Sequence, residues 1–162
     1  MSRARKLLVF GGIALAALGM LYGLHYAVFV EHQTLDRMGG SLAQAFVGAA
    51  EGNAPEVDRA VDAYAATKYN YVRQVDVHSH WIGLAMLMIV LGAALDGVAI
   101  GERLQTWMAL ALLAGSVVFP LGVALQTVSH GAGWASMLAI LGSGLVTVSL
   151  AVFGWGFIRS TT

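Results

Sequence analysis

The sequence predicts an all-α integral membrane protein, a four-helix bundle in which the first two spanning helices extend beyond the membrane as a long hairpin. Of its 162 residues, 58% are hydrophobic and only 11% are charged, so most of the chain cannot form the surface of a soluble domain. Four apolar stretches reach the roughly 20 residues that a helix needs to cross a bilayer. The polar segment between the first two stretches has helical periodicity. We expect one domain over residues 1–162.

The first span covers about residues 7–30 and follows the basic residues Arg3, Arg5 and Lys6. A basic start before an apolar run is also typical of a cleaved signal peptide, whose apolar region spans about 7 to 15 residues. This run is longer than that. We therefore expect it to be a retained transmembrane helix.

The polar segment, about residues 31–76, predicts two amphipathic helices separated by a turn. Gly52 suits a helix stop, Asn53 a cap and Pro55 a first helical turn. Apart from the Gly39–Gly40 pair, no strong breaker separates either helix from its neighbouring span, so we expect one long antiparallel hairpin turning near Asn53. The apolar positions recur at steps of three or four: Leu35, Met38, Leu42, Phe46 and Ala49, then Val57, Val61, Tyr64, Lys68 and Tyr71.

The remaining spans cover about residues 77–100, 104–127 and 134–157, and the last two form a shorter hairpin that turns near residues 129–133. Asp96 lies about one turn from the end of its span. We expect it to reach the interface or to pair with Arg103.

The distribution of basic residues predicts the orientation, because Lys and Arg in short flanking segments stay cytoplasmic. It places both termini inside and the long hairpin outside, as in a multi-pass protein of a bacterial-type inner membrane. The tryptophans fit an interfacial belt, with Trp81 and Trp134 at outer helix ends and Trp107 and Trp155 at inner ones. The inner basic residues are Arg3, Arg5, Lys6, Arg103 and Arg159, whereas Arg37, Arg59, Lys68 and Arg73 are spread over the longer outer segment.

Two classes of function are excluded by composition. The absence of cysteine removes disulfides, thiolate metal sites, iron–sulfur clusters and covalent heme attachment. The net charge is zero and no basic cluster stands out, so nucleic acid is not an expected partner.

All five histidines fall near the predicted outer ends of helices. His25 lies inside an apolar run, roughly 9 Å below the boundary at 1.5 Å per residue, where ionisable groups are costly and usually functional. Counted from Asn53, His25 and His80 are level, so we expect them to face one another. The alternative for His25 is a hydrogen bond to the carbonyl of a neighbouring helix.

His78 and His80 stand two residues apart, so they point about 200° from each other and cannot easily bind one ion from a regular helix. Either they serve two sites, or one of them serves a site and the other does not. His78 could instead be an interfacial polar residue beside Asp76. His130 lies in the turn of the second hairpin. His32, with Glu31 and Asp36 nearby, is interpreted as solvated.

The string Val77-His-Ser-His-Trp-Ile-Gly-Leu84 resembles the helix of heme–copper oxidase catalytic subunits in which a His-x-His pair ligates two hemes near the outer face. Small four-span bacterial proteins are similar too, with a glycine-rich histidine segment like Ser129-His130-Gly131-Ala132-Gly133 before the last helix. The resemblance implies heme ligation by His78 and His80. The oxidase subunit has many more spans and further histidines for copper that have no counterpart here, so oxygen reduction is not implied.

We therefore expect a membrane-embedded heme b protein, with His25 and His80 as the axial pair and His130 or His78 at a second site. Two imidazoles on one iron leave no open position for substrate, which favours electron transfer or an accessory role in a redox complex over catalysis. Its expected partners are the lipid bilayer and a larger redox membrane complex or further copies of itself.

Two alternatives remain open at the level of sequence. The first is a copper or zinc binding or delivery protein with His25, His80 and His130 as ligands, because imidazole suits these metals and thioethers suit Cu(I). The second is a structural subunit of a larger membrane complex that binds no cofactor. The methionines available to a copper site are Met20, Met86, Met88 and Met137.

Overall fold

The computed structural model describes residues 1–129 and 133–160, and within these ranges the fold is entirely helical. Four of the helices are long and apolar enough to cross a membrane. The prediction of an all-α membrane bundle with four spans is confirmed. The helices are α1 (Arg3–Phe29), α2 (Glu31–Ala50), α3 (Ala54–Ala94), α4 (Glu102–Val128) and α5 (Gly133–Ser160).

The turn of the long hairpin lies where the sequence predicts it. Gly52 has a φ of 70°, a left-handed conformation that glycine adopts without a steric penalty. The Asn53 side chain accepts a hydrogen bond of 3.3 Å from the Glu56 amide, and Pro55 stands in the first turn of α3. One arm of the hairpin is therefore α1 followed by α2, and the other is the single 41-residue helix α3.

The break in the first arm lies at Val30, not at the predicted Gly39–Gly40 pair. Val30 has φ −123° and ψ −41°, which interrupts the helix between α1 and α2. Gly39 and Gly40 lie inside α2. Each glycine costs a helix only about 1 kcal/mol, and the neighbouring residues of this amphipathic helix offset that cost.

The helices α1 and α3 approach each other closely because small residues line their contact. A Cβ atom on Gly12 would come within 2.8 Å of the Ala85 carbonyl oxygen, and one on Gly92 within 2.7 Å of Val9. Such contacts let two backbones pack closely in a membrane, where no hydrophobic effect drives helices together.

An ion pair links α1 to the end of α3 at the end of the bundle that carries the chain termini. Arg5 Nε donates to the Gly92 carbonyl at 3.0 Å, and its guanidinium lies 2.6 Å from Asp96. Asp96 therefore pairs with Arg5, not with the Arg103 that the sequence suggested. The reason is that α3 ends at Ala94, before the predicted residue 100, and a 3₁₀ turn, Leu95–Gly97, carries Asp96 toward the start of α1.

The helix α4 lies between α5 and the α1–α3 pair, so the second hairpin joins the first through α4. Glycine residues again allow a close contact, here between α4 and α5. A Cβ atom on Gly122 would overlap the backbone of Ala139, and one on Gly142 would overlap the backbone of Phe119. These two positions fix how closely α4 and α5 pack.

We predict that Gly142→Ala lowers the stability of the protein by about 1–3 kcal/mol, because the added methyl must displace the α4 backbone. The matched control is Gly144→Ala on the same helix, where a Cβ atom meets nothing within 4 Å. Thermal unfolding in detergent measures both. Equal midpoints for the two variants would contradict the proposed close contact.

Candidate functional site

His78 faces α1 and fills a notch between two glycines. Its Nδ1 lies 2.9 Å from the Gly19 carbonyl oxygen, and a Cβ atom on Gly23 would overlap its imidazole ring. A carbonyl can only accept a hydrogen bond, so Nδ1 carries the proton. In the neutral ring, Nε2 then keeps its lone pair.

His80 points to the other side of α3, toward α4. Its Nδ1 donates to the Asp76 carbonyl at 2.6 Å, and its ring meets Phe119 edge to face with centroids 4.6 Å apart. The opposed directions predicted for the His-x-His pair are therefore confirmed. Each imidazole belongs to a different helix contact.

Both rings have the hydrogen-bond arrangement typical of histidines that ligate a metal. A ligating histidine usually donates its second ring N–H to a carbonyl or carboxylate, which fixes the tautomer and makes the other nitrogen a stronger ligand. In His78 and His80 the backbone carbonyls of Gly19 and Asp76 serve this role. Ordinary packing histidines also form such bonds, so the arrangement permits ligation without requiring it.

His25 lies on an exposed face of α1, with its ring centroid 5.5 Å from that of Phe29 on the same helix. The α1 residues that meet α3 at this end are Gly19, Tyr22 and Gly23. His25 points away from that line. The alternative role as a partner of a neighbouring helix carbonyl has no hydrogen bond to support it among the described residues.

The two arms of the hairpin also use different numbers of residues to cover the same height. Near the turn Gly48 lies against Glu56, whereas deeper in the bundle Gly19 lies against Trp81. The first arm thus uses 29 residues for the height that α3 covers in 25. The first arm is also not one straight helix, because Val30 interrupts it between α1 and α2. His25 and His80 are consequently offset by about one turn, and the structure does not bring them together.

Of the other two histidines, only His32 lies among the described residues, and it does not extend the site. His32 is exposed, and its Nε2 lies 3.5 Å from Asp36, in agreement with the interpretation as a solvated residue. His130 lies outside the described residues.

Trp81 is buried, although the sequence placed it in the interfacial belt. Only 4% of it is exposed, and its ring packs against Tyr22 with centroids 5.3 Å apart. Its Nε1 is buried without a hydrogen-bond partner among residues 1–129 and 133–160. Only the spacing of four residues between Val77, Trp81 and Ala85 signalled this buried position in advance.

Within the described ranges, no group of three or more His, Asp and Glu side chains could hold a metal ion. No protein-family model matches the chain. No curated protein and no solved structure matches it either. The function is therefore argued from the histidines and their surroundings alone.

We predict that Gly23→Ala destabilises the protein by about 1–3 kcal/mol, because the new methyl displaces the His78 ring. Adding His78→Ala removes the clash, so the double variant should lose less stability than the sum of the single variants. Gly83→Ala is the control, since a Cβ atom there meets nothing within 4 Å. Additive losses in thermal unfolding would show that His78 does not occupy the notch.

Proposed function

We propose that the protein is a membrane-embedded heme b protein that serves electron transfer, either by itself or as an accessory subunit of a redox complex. We further propose that both termini lie in the cytoplasm of a bacterial-type inner membrane, which places the histidines near the outer face. The orientation rests on the basic residues that flank the spans.

The observation that carries this proposal is the geometry of His80. Its Nδ1 proton is held by the Asp76 carbonyl, so Nε2 is free to act as an axial ligand. The ring is partly buried and packs against the aromatic ring of Phe119 on α4. Neutral imidazole in apolar surroundings is the usual axial ligand of a b-type heme.

His78 and His25 differ in how well their surroundings suit a heme. His78 is enclosed by Gly19 and Gly23, so it suits the α1–α3 contact better than a macrocycle. His25 is exposed and unobstructed, which suits a ligand on the outside of α1. We therefore revise the expected pairing: His80 and His25 would hold heme at separate positions, and any further ligand would come from His130 or from another chain.

A bound heme would supply one-electron chemistry through its iron. The residues of the chain would hold it and tune it. The Asp76 carbonyl keeps the proton on Nδ1 and thereby strengthens Nε2 as a donor.

The test is the visible spectrum of detergent-purified protein from cells supplied with heme. We expect a Soret band in the wild type and, in His80→Ala, a loss of the heme held at the His80 position, because its ligating nitrogen is removed. The matched control is His32→Ala, an exposed histidine that should keep the heme content unchanged. A wild type that contains no heme under these conditions overturns the proposal.

Elemental analysis of the same preparation separates the two other functions that the sequence leaves open. Copper or zinc without iron, lost in His25→Ala and His80→Ala, would identify a metal-binding protein of the outer face. A preparation that contains neither heme nor metal, in which both variants leave the activity of the host complex unchanged, would identify a structural subunit.

A further inference from the structure

The hairpin beyond the apolar spans, formed by α2 and residues 54–76 of α3, exposes large apolar side chains. Phe46 is 74% exposed and Val61 is 49% exposed. This segment lies outside the apolar stretches of the sequence, and isolated apolar residues on a surface are ordinary. What matters is whether these residues share one face.

Five of them share one face. α2 packs on α3 through Thr34 and Gly48, and α3 packs on α2 through Ala60, all of them buried. At 100° per residue, these five residues lie roughly 90–140° around their helices from that contact line, in the same rotational sense, whereas the exposed Val47 lies on the opposite side of α2. Because the helices are antiparallel, the same sense leads to the same side of the hairpin. This apolar face consists of Leu35, Leu42 and Phe46 on α2 and Val61 and Val72 on α3.

We propose that a second copy of this chain covers the apolar face and that the two hairpins form a four-helix bundle. Helices whose apolar stripe has no partner within their own hairpin are typical of bundles completed by another hairpin. A membrane protein restricts the symmetry, because both copies must span the bilayer in the same direction. The two-fold axis therefore stands normal to the membrane and joins identical faces.

The heights of the residues fit this symmetry. Gly48 lies opposite Glu56, and Tyr71 reaches the Glu31 carboxylate, so α2 and α3 positions whose numbers add to about 103 are level. Leu42 is thus level with Val61. The two-fold axis places Leu42 against Val61 of the partner subunit and Phe46 against Val57 of the partner subunit.

The charges at the border of the apolar face also favour a second copy of the chain as its partner. Glu31 on α2 and Lys68 on α3 border this face, and they lie within about one turn of the same height. The two-fold axis brings Lys68 of each copy toward Glu31 of the partner subunit. A copy of the chain is therefore complementary to its own face in charge.

The absence of cysteine gives a clean background for disulfide crosslinking in native membranes. Leu42→Cys and Val61→Cys are made in two full-length chains that carry different tags and are expressed together. We expect mild oxidation to join the two tags, because a disulfide needs Cα atoms about 4.4–6.8 Å apart. The matched control is Gln44→Cys with Arg59→Cys, which are level with each other on the opposite side of the hairpin and should crosslink several-fold less.

A second measurement uses the mass of the purified full-length protein in detergent by light scattering. We expect a dimer for the wild type and for Gln44→Glu, and a monomer for Phe46→Glu, which places two carboxylates inside the interface. Equal crosslinking of the control pair, or crosslinking of Leu42→Cys to a different protein alone, overturns the proposal. Neither readout depends on heme, so the result is independent of the proposed function.

Discussion

The close approach of α1 and α3 is the contact on which the rest of the structure depends. It is possible only because Gly12, Gly19, Gly23 and Gly92 present no side chain to the facing helix. In a membrane, where water does not drive apolar surfaces together, such van der Waals contact supplies much of the association energy. The same contact holds Arg5 beside Asp96 at one end and buries Trp81 near the other.

This contact also determines what each histidine can do. The notch at Gly19 and Gly23 accepts the His78 ring and ties it to α1 through a carbonyl. His80, two residues later, must then face α4, since adjacent positions of a helix diverge by 100°. When a backbone carbonyl accepts a hydrogen bond from Nδ1–H, the proton stays on Nδ1. Nε2 then keeps the lone pair with which it can bind a metal. The proposed heme function therefore rests on His80 more than on the pair of His25 and His80 that counting residues from Asn53 suggested.

The hairpin formed by α2 and the first part of α3 exposes apolar side chains that neither of its two helices covers. Two helices in contact can bury only the stripes that face each other, and this hairpin keeps Leu42, Phe46 and Val61 exposed on one side. A symmetric partner buries those residues in both copies at once.

The sequence by itself determined the number of spans, the turn at Gly52–Asn53 and the opposed directions of His78 and His80. Each of these follows from local rules: the length of apolar runs, the backbone preference of glycine, and the angle per residue of a helix. Only the tertiary structure decided the break at Val30, the Arg5–Asp96 pair and the offset between His25 and His80. These depend on how two helices slide and bend against each other. That relation is set by contacts between residues far apart in the chain, which no count along one helix contains.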